Sequence, residues 1–92
     1  MWVDYFSEPA SNFWSSLYSY DSFNGTNHLF GMWIDMNEPS VFNGPEITMQ
    51  KSAMHAIYVE GTSKYIRAMH GEVHNAYGLM MSKATFEGIL NR

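Results

Sequence analysis

No cysteine occurs among the 92 residues, so the chain can build neither a disulfide framework nor a thiolate zinc ribbon. Positive charge is scarce too: five Lys and Arg stand against nine Asp and Glu, for a formal net charge of -4, and the basic residues are scattered. Without a basic stripe, nucleic acid is not an expected partner. No apolar run approaches the ~20 residues of a membrane span. Met1-Trp2-Val3-Asp4-Tyr5 has neither the positive start nor the long apolar core of a signal peptide, so no targeting signal is visible. Low-complexity tracts and internal repeats are absent as well.

What is present in quantity is aromatic side chain, 16% of the residues. Flat rings suit either a dense core or a carbohydrate surface, since they cover the apolar faces of sugars, and the core is the first claim on them. A chain of this length makes one small domain at most and buries a modest share of its surface.

The chain opens with Trp2 to Phe6, which reads as a short strand or strand exit. Ser7 is placed to cap a helix, with Pro9 in the first turn, where its missing N–H costs nothing. Ala10, Phe13, Trp14 and Leu17 fall on one helical face, predicting a helix that ends near Tyr20 and packs on a sheet. Asp21 to Asn27 is a turn with Asn24-Gly25 at its tip. Asn24-Gly25-Thr26 is also an N-glycosylation sequon, which matters only in the secretory pathway.

Leu29 to Ile34 is apolar except for Gly31 and gives way abruptly to Asp35, Asn37, Glu38 and Pro39. A short run bounded this way reads as a buried strand of a parallel sheet. Its polar end would then face the loops that hold substrate in parallel α/β folds. A long connection broken by Pro39, Gly44, Pro45 and Gly61 reaches to about Met69. Beyond it Val73, Tyr77, Met80 and Ala84 make a helical stripe ending near Gly88. The expected order is strand, helix, strand, long loop, helix, one right-handed βαβ unit with a following helix.

Gly31-Met32-Trp33-Ile34-Asp35-Met36-Asn37-Glu38-Pro39-Ser40, with Val41-Phe42-Asn43-Gly44-Pro45-Glu46-Ile47-Thr48-Met49 behind it, resembles the nucleophile region of the family 31 glycoside hydrolases. Within that family it is most similar to the branch of the glucosidase II catalytic subunit and the neutral alpha-glucosidases. The flanking strings Trp14 to Asp21 and His74-Asn75-Ala76-Tyr77-Gly78 are similar as well. The resemblance implies an α/β fold, part of a (β/α)8 TIM barrel. Such a barrel needs about 250 residues, so residues 1–92 are expected to be a fragment of the catalytic barrel, with Met1 an arbitrary start.

On the resemblance, Asp35 is the catalytic nucleophile of a retaining alpha-glucosidase. Trp33, Ile34 and Met36 line the apolar wall of the terminal-glucose pocket. Spacing alone would make Asp35 an Asx turn or a helix cap. Retaining glycosidases set two carboxyl groups roughly 5–5.5 Å apart, and the family's acid/base lies on a later strand, outside this chain. The isolated chain is therefore expected to be inactive. Glu38, three residues on, is not expected to fill that role and more simply holds the loop by a hydrogen bond. The resemblance further implies an alpha-glucoside or oligosaccharide substrate, trimming of N-glycans, a lumenal endoplasmic reticulum setting, a partner beta subunit of glucosidase II, and no cofactor. A glycan on Asn24 follows from that setting.

His70 and His74 stand at i and i+4, but Glu72 does not follow the first His directly as in a zinc helix, so metal binding is not expected. A packing role suits His74 better. The resemblance frays between Ala56 and Met69, where Tyr58, Lys64, Tyr65 and Arg67 read as a solvated insert. It frays again at Ala84-Thr85-Phe86-Glu87-Gly88, which either carries one residue more than the family's string or stands in a different register. Two other functions fit the residues: a carbohydrate-binding or pseudoenzyme fragment without chemistry, and a small interaction module with an aromatic docking face.

Overall fold

A computed structural model describes residues 1–92. Four elements follow in the order α1 (Glu8–Ser16), β1 (Met54–Val59), β2 (Lys64–Met69) and α2 (His70–Leu90). Helix α1 begins as its sequence dictates. Ser7 holds the N-cap position in extended conformation but its hydroxyl makes no capping hydrogen bond, Pro9 lies in the first turn, Glu8 sets a negative charge at the positive end of the helix dipole, and the helix stops at Ser16, a turn short of the expected Tyr20. Helix α2 starts where Glu72 turns its carboxylate back to accept the Met69 amide at 2.7 Å. The next two orphan amides, of His70 and Gly71, are taken by the carbonyls of Ala53 and Lys51.

The segment expected to be a solvated insert is largely exposed, as expected, but it is a β-hairpin and not a loop. β1 and β2 pair antiparallel, with Ile57 opposite Ile66 and Tyr58 opposite Tyr65. Ala56-Ile57-Tyr58-Val59 and Lys64-Tyr65-Ile66 are rich in β-branched and aromatic residues, which suit a pleated surface. Gly61 at φ 75° supplies the left-handed residue that the connection requires.

The two strands expected at Trp2–Phe6 and Leu29–Ile34 are not assigned as strands, since neither has a hydrogen-bonded ladder. An inner barrel strand takes its hydrogen bonds from neighbours on both sides, and nothing in this chain lies alongside Leu29–Ile34 to supply them. The first segment finds a partial substitute in the hairpin. Phe6 O accepts the Tyr58 amide at 3.0 Å, and the Asp4 carboxylate accepts the Ala56 amide at 2.8 Å.

The α1 face was expected to meet a sheet, but it packs on α2. Trp14 Nε1 donates to Thr85 Oγ1 at 2.9 Å and Ser15 Oγ to the Ala84 carbonyl at 2.7 Å. The core between these layers holds Tyr5, Phe6, Tyr77, Met81 and Ala84, with Ile34 and Met80 packed against it. Met81 is therefore the deeper methionine, one residue past the expected stripe. Tyr5 meets Trp14 and Tyr77 edge-on at 5.4 and 5.3 Å, the arrangement aromatic quadrupoles prefer. Burial pushes the Tyr5 phenol up to about 12 and raises Tyr77 as well. The Tyr77 hydroxyl satisfies itself by donating to Val3 O at 2.6 Å.

Close approach of the two helices rests on Gly88. A Cβ there would sit 2.6 Å from Ser15 O and 2.9 Å from Ser15 Cα. Because it would meet backbone, the strain outweighs the gain of about 0.8–1 kcal/mol in helix propensity that alanine brings. Gly88→Ala is expected to destabilise the α1–α2 pair by a net ~1–2 kcal/mol. A lowered denaturation midpoint with loosened Trp14 fluorescence would show it, and an unchanged midpoint would contradict it.

Only 11 of the residues are buried, and Phe13, Leu29, Phe30, Trp33, Leu79 and Leu90 stand exposed. So much bare apolar surface is what a layer cut from a larger core would show.

Candidate functional site

Exposure alternates along Gly31 to Asp35: Gly31, Trp33 and Asp35 are exposed while Met32 and Ile34 are half-buried. Ile34 thus packs inward on the core, and Trp33 and Asp35 share the outward side, Trp33 at 88% exposure. The sequence predicts a strand buried on both faces; here one side of the segment is open, an exposure with the period of two of an extended chain covered on one face only. Asp35 Oδ1 accepts the Met36 amide at 2.8 Å. Met36 itself is held at φ 61°, a left-handed conformation that costs a non-glycine residue about 1–2 kcal/mol. Strain of this kind concentrates where a side chain must be aimed. The bend carries Met36, 41% exposed, out of the line of Trp33 and Ile34.

The following loop is tied down closely. The Ser40 amide donates to Met36 O, the Met49 amide and the Thr48 hydroxyl both donate to Pro39 O, and Pro39 is fully buried. Glu38 accepts the Ser40 hydroxyl at 2.7 Å. That bond, aided by the field of His74, holds the Glu38 carboxyl below the usual carboxylate range. An acid that must deliver a proton near neutral pH needs the opposite shift, so Glu38 is a loop anchor. None of the surface cavities is lined by Trp33, Ile34, Asp35 or Met36. Asn24 lies on the far turn, exposed, next to Gly25 at φ 79°.

Sequence reasoning missed a second cluster. Asp4 Oδ1 lies 2.7 Å from His55 Nδ1, His55 Nε2 lies 2.9 Å from His70 Nδ1, and His70 Nε2 lies 2.8 Å from His74 Nδ1. The i, i+4 spacing of His70 and His74 was visible, but nothing in the sequence joins Asp4 to His55, 51 residues away. These nitrogens spend their lone pairs and protons on one another, and no group of side chains is arranged to hold a metal ion.

His55 and His70 are buried, at 4% and 1% exposure. Burial, then repulsion from His55 and His74, holds His70 below its ordinary 6.5. The unfolded chain therefore binds a proton that the folded one refuses. That contribution to stability is complete above pH 6.5 and declines as pH falls through 6.5 toward the folded value. Exchange protection of the β2–α2 junction should accordingly be lower at about pH 5.5 than at about pH 7.5. Equal protection, after correction for intrinsic exchange, would contradict it.

No helix is long and apolar enough to cross a membrane. Comparison with known proteins gives a match to the glycosyl hydrolases family 31 TIM-barrel domain over residues 1–92. The chain is 39% identical over 92 residues to glucosidase 2 subunit alpha of Schizosaccharomyces pombe, covering 100% of this chain and 9% of that protein. Among solved structures it is similar to the glucosidase II alpha subunit bound to alpha3-Glc2, with a TM-score of 0.77 at 40% identity. It is similar also to a heterodimeric complex of the endoplasmic reticulum glucosidase II catalytic subunit with the binding domain of its regulatory subunit, with a TM-score of 0.77 at 42% identity. Each of these two covers 97% of this chain and 9% of that one. The α/β class and the partial (β/α)8 barrel stand on these matches, although the hydrogen-bonded strands lie in the hairpin.

Proposed function

This chain belongs to glycosyl hydrolase family 31, and on that premise we propose that the complete protein is a retaining alpha-glucosidase with Asp35 as its nucleophile. Residues 1–92 are then a piece of the catalytic barrel. The observation that carries this reading is the placement of Asp35 on the outward side of the Gly31–Asp35 segment, beside Trp33 and braced by the Met36 amide. With Oδ1 so engaged, Oδ2 is the free oxygen. It attacks the anomeric carbon as the bond to the leaving group breaks, and a carboxylic acid elsewhere in the barrel protonates the departing oxygen. The resulting glycosyl ester is hydrolysed by a water that the same second carboxylate activates.

Trp33 supplies a flat wall for the terminal glucose and Met36 a flexible one. Ile34 acts from behind, its packing on the core fixing the direction in which Asp35 points. The substrate is an α-linked glucose at the end of an oligosaccharide. Likeness to the glucosidase II subunit supports trimming of N-glycans in the endoplasmic reticulum lumen and assembly with a regulatory beta subunit.

Proton NMR of a fresh reaction with an aryl alpha-glucoside tests the stereochemistry. Alpha-glucose should appear first and mutarotate later. Initial release of beta-glucose would overturn the retaining assignment. In the same setting Asn24 carries a glycan: protein from the native host should shift in mobility on enzymatic deglycosylation, and Asn24→Gln should abolish the shift. No shift in the wild-type protein would remove the glycan from the account.

A further inference from the structure

The four-member chain from Asp4 to His74 has a direction. A carboxylate only accepts, so His55 must offer Nδ1–H to Asp4, which leaves neutral His55 with a bare Nε2. That nitrogen accepts from His70 Nδ1–H, whose bare Nε2 in turn accepts from His74 Nδ1–H. One charge at Asp4 thus dictates the tautomer of a ring three side chains away. The far end lines a surface cavity of about 190 Å³ together with Thr48, Lys51 and Glu72, through which solvent reaches the relay. The middle is closed off, with Tyr77 edge-on to His70 at 5.8 Å and Phe6 edge-on to His55 at 5.1 Å.

The same helix face seats the loop behind Asp35. Gly78, one turn beyond His74, is in close contact with Asn37: a Cβ on Gly78 would lie 3.1 Å from Asn37 Nδ2 and 3.3 Å from Asn37 O. Glu38, the next residue, is near enough to His74 to feel a charge placed on that ring. We infer that Asp4, His55, His70 and His74 form a directional relay that holds α2 against the Asp35–Ser40 loop and fixes the state of His74 beside it, so that the four act as positioning residues for the nucleophile. This rests on the reading of Asp35 as the attacking group.

A proton entering from the cavity meets the relay at its open end, at His74. It places a cation among Glu38, Glu72 and Lys51, the charged groups around its open end, and weakens the one-way hydrogen bonding. Asp4→Asn reverses the direction without changing shape. The Asn Oδ1 stays with the Ala56 amide, now facing the only donor it can serve, and its NH₂ turns to His55, whose Nδ1 must become an acceptor. All three rings then switch to the Nε2–H form.

The test uses the complete protein labelled with ¹⁵N-histidine, and reads the ring tautomers together with the pH profile of covalent labelling by a fluorinated glucosyl probe. Wild type should show Nδ1–H on His55, His70 and His74. Asp4→Asn should show Nε2–H on all three, slow the labelling about tenfold and displace its acid limb, with the label still on Asp35. His28→Gln, outside the relay, should match wild type. An Nε2–H ring anywhere in the wild-type relay would overturn the proposal without recourse to any variant. Superimposable labelling profiles for wild type and a folded Asp4→Asn would overturn it too. Absence of label at Asp35 in wild type would instead sink the nucleophile assignment and leave the tautomer result to be judged separately.

Discussion

Asp35→Ala in the complete protein is expected to lower turnover of an aryl alpha-glucoside by about 10⁴-fold or more, with little change in KM. The size follows from what the carboxylate does. In a retaining mechanism it forms a bond to the anomeric carbon, so its loss removes the reaction path, whereas binding by Trp33 and the remaining pocket is left in place. Asp35→Glu should be only slightly better. The extra methylene displaces the attacking oxygen by more than an ångström, and a misplacement of about 1 Å can cost 10²-fold. Added azide offers a sharper sign, since a small anion can occupy the vacated space and attack in place of Oδ2. The rescued Asp35→Ala enzyme should release beta-glucosyl azide, inverted because only one displacement occurs. Activity within tenfold of wild type would contradict the assignment.

Asp4→Ala is expected to have the largest effect on stability. Asp4 accepts from two donors at once, His55 Nδ1–H at 2.7 Å and the Ala56 amide at 2.8 Å. Removing it strands both, and an unsatisfied buried donor costs about 1–3 kcal/mol. Water can enter beside Asp4, whose side chain is 29% exposed, so the total should fall near the low end, about 2–3 kcal/mol. The effect is local, because the bond from Ala56 docks the hairpin onto the first segment. Deuterium exchange of a peptide spanning Met54 to Val59 should therefore quicken by roughly 30-fold or more. Exchange as slow as in wild type would show that the carboxylate is dispensable to the hairpin.

Both helices were legible in the sequence because their signals are local. Ser7 and Pro9 stand where a helix often begins, although the Ser7 hydroxyl makes no capping bond, and the stripe from Val73 to Ala84 has the period of α2 within one residue of the observed core. The Asn24-Gly25 turn and the anchoring role of Glu38 were legible for the same reason. The hairpin was legible only in part: Gly61 sits between two β-prone runs, but the runs are short and largely exposed, so they carry no strong apolar alternation to mark a strand. The partner of α1 could not be read at all. An apolar face says that something covers it, and whether that is a sheet or α2 depends on Gly88 permitting the approach, a fact of three dimensions. Asp4 and the three histidines belong to the same class: their hydrogen bonds join segments far apart in sequence, and no spacing rule reaches across that distance. Leu29–Ile34 shows the converse. Its apolar run reads as a strand covered on both faces, yet Leu29 and Trp33 stand exposed and no ladder forms, because cover and ladder both need neighbours that local pattern cannot provide.

Asp35 Oδ2 is the atom expected to bond to glucose. Incubating the complete protein with a fluorinated glucosyl probe that forms a slowly hydrolysed adduct, then digesting and mapping the labelled peptide by mass spectrometry, addresses this directly. The label should fall on the peptide containing Gly31 to Ser40, and fragmentation should place it on Asp35. An adduct on any other residue, Glu38 included, would contradict the assignment of Asp35.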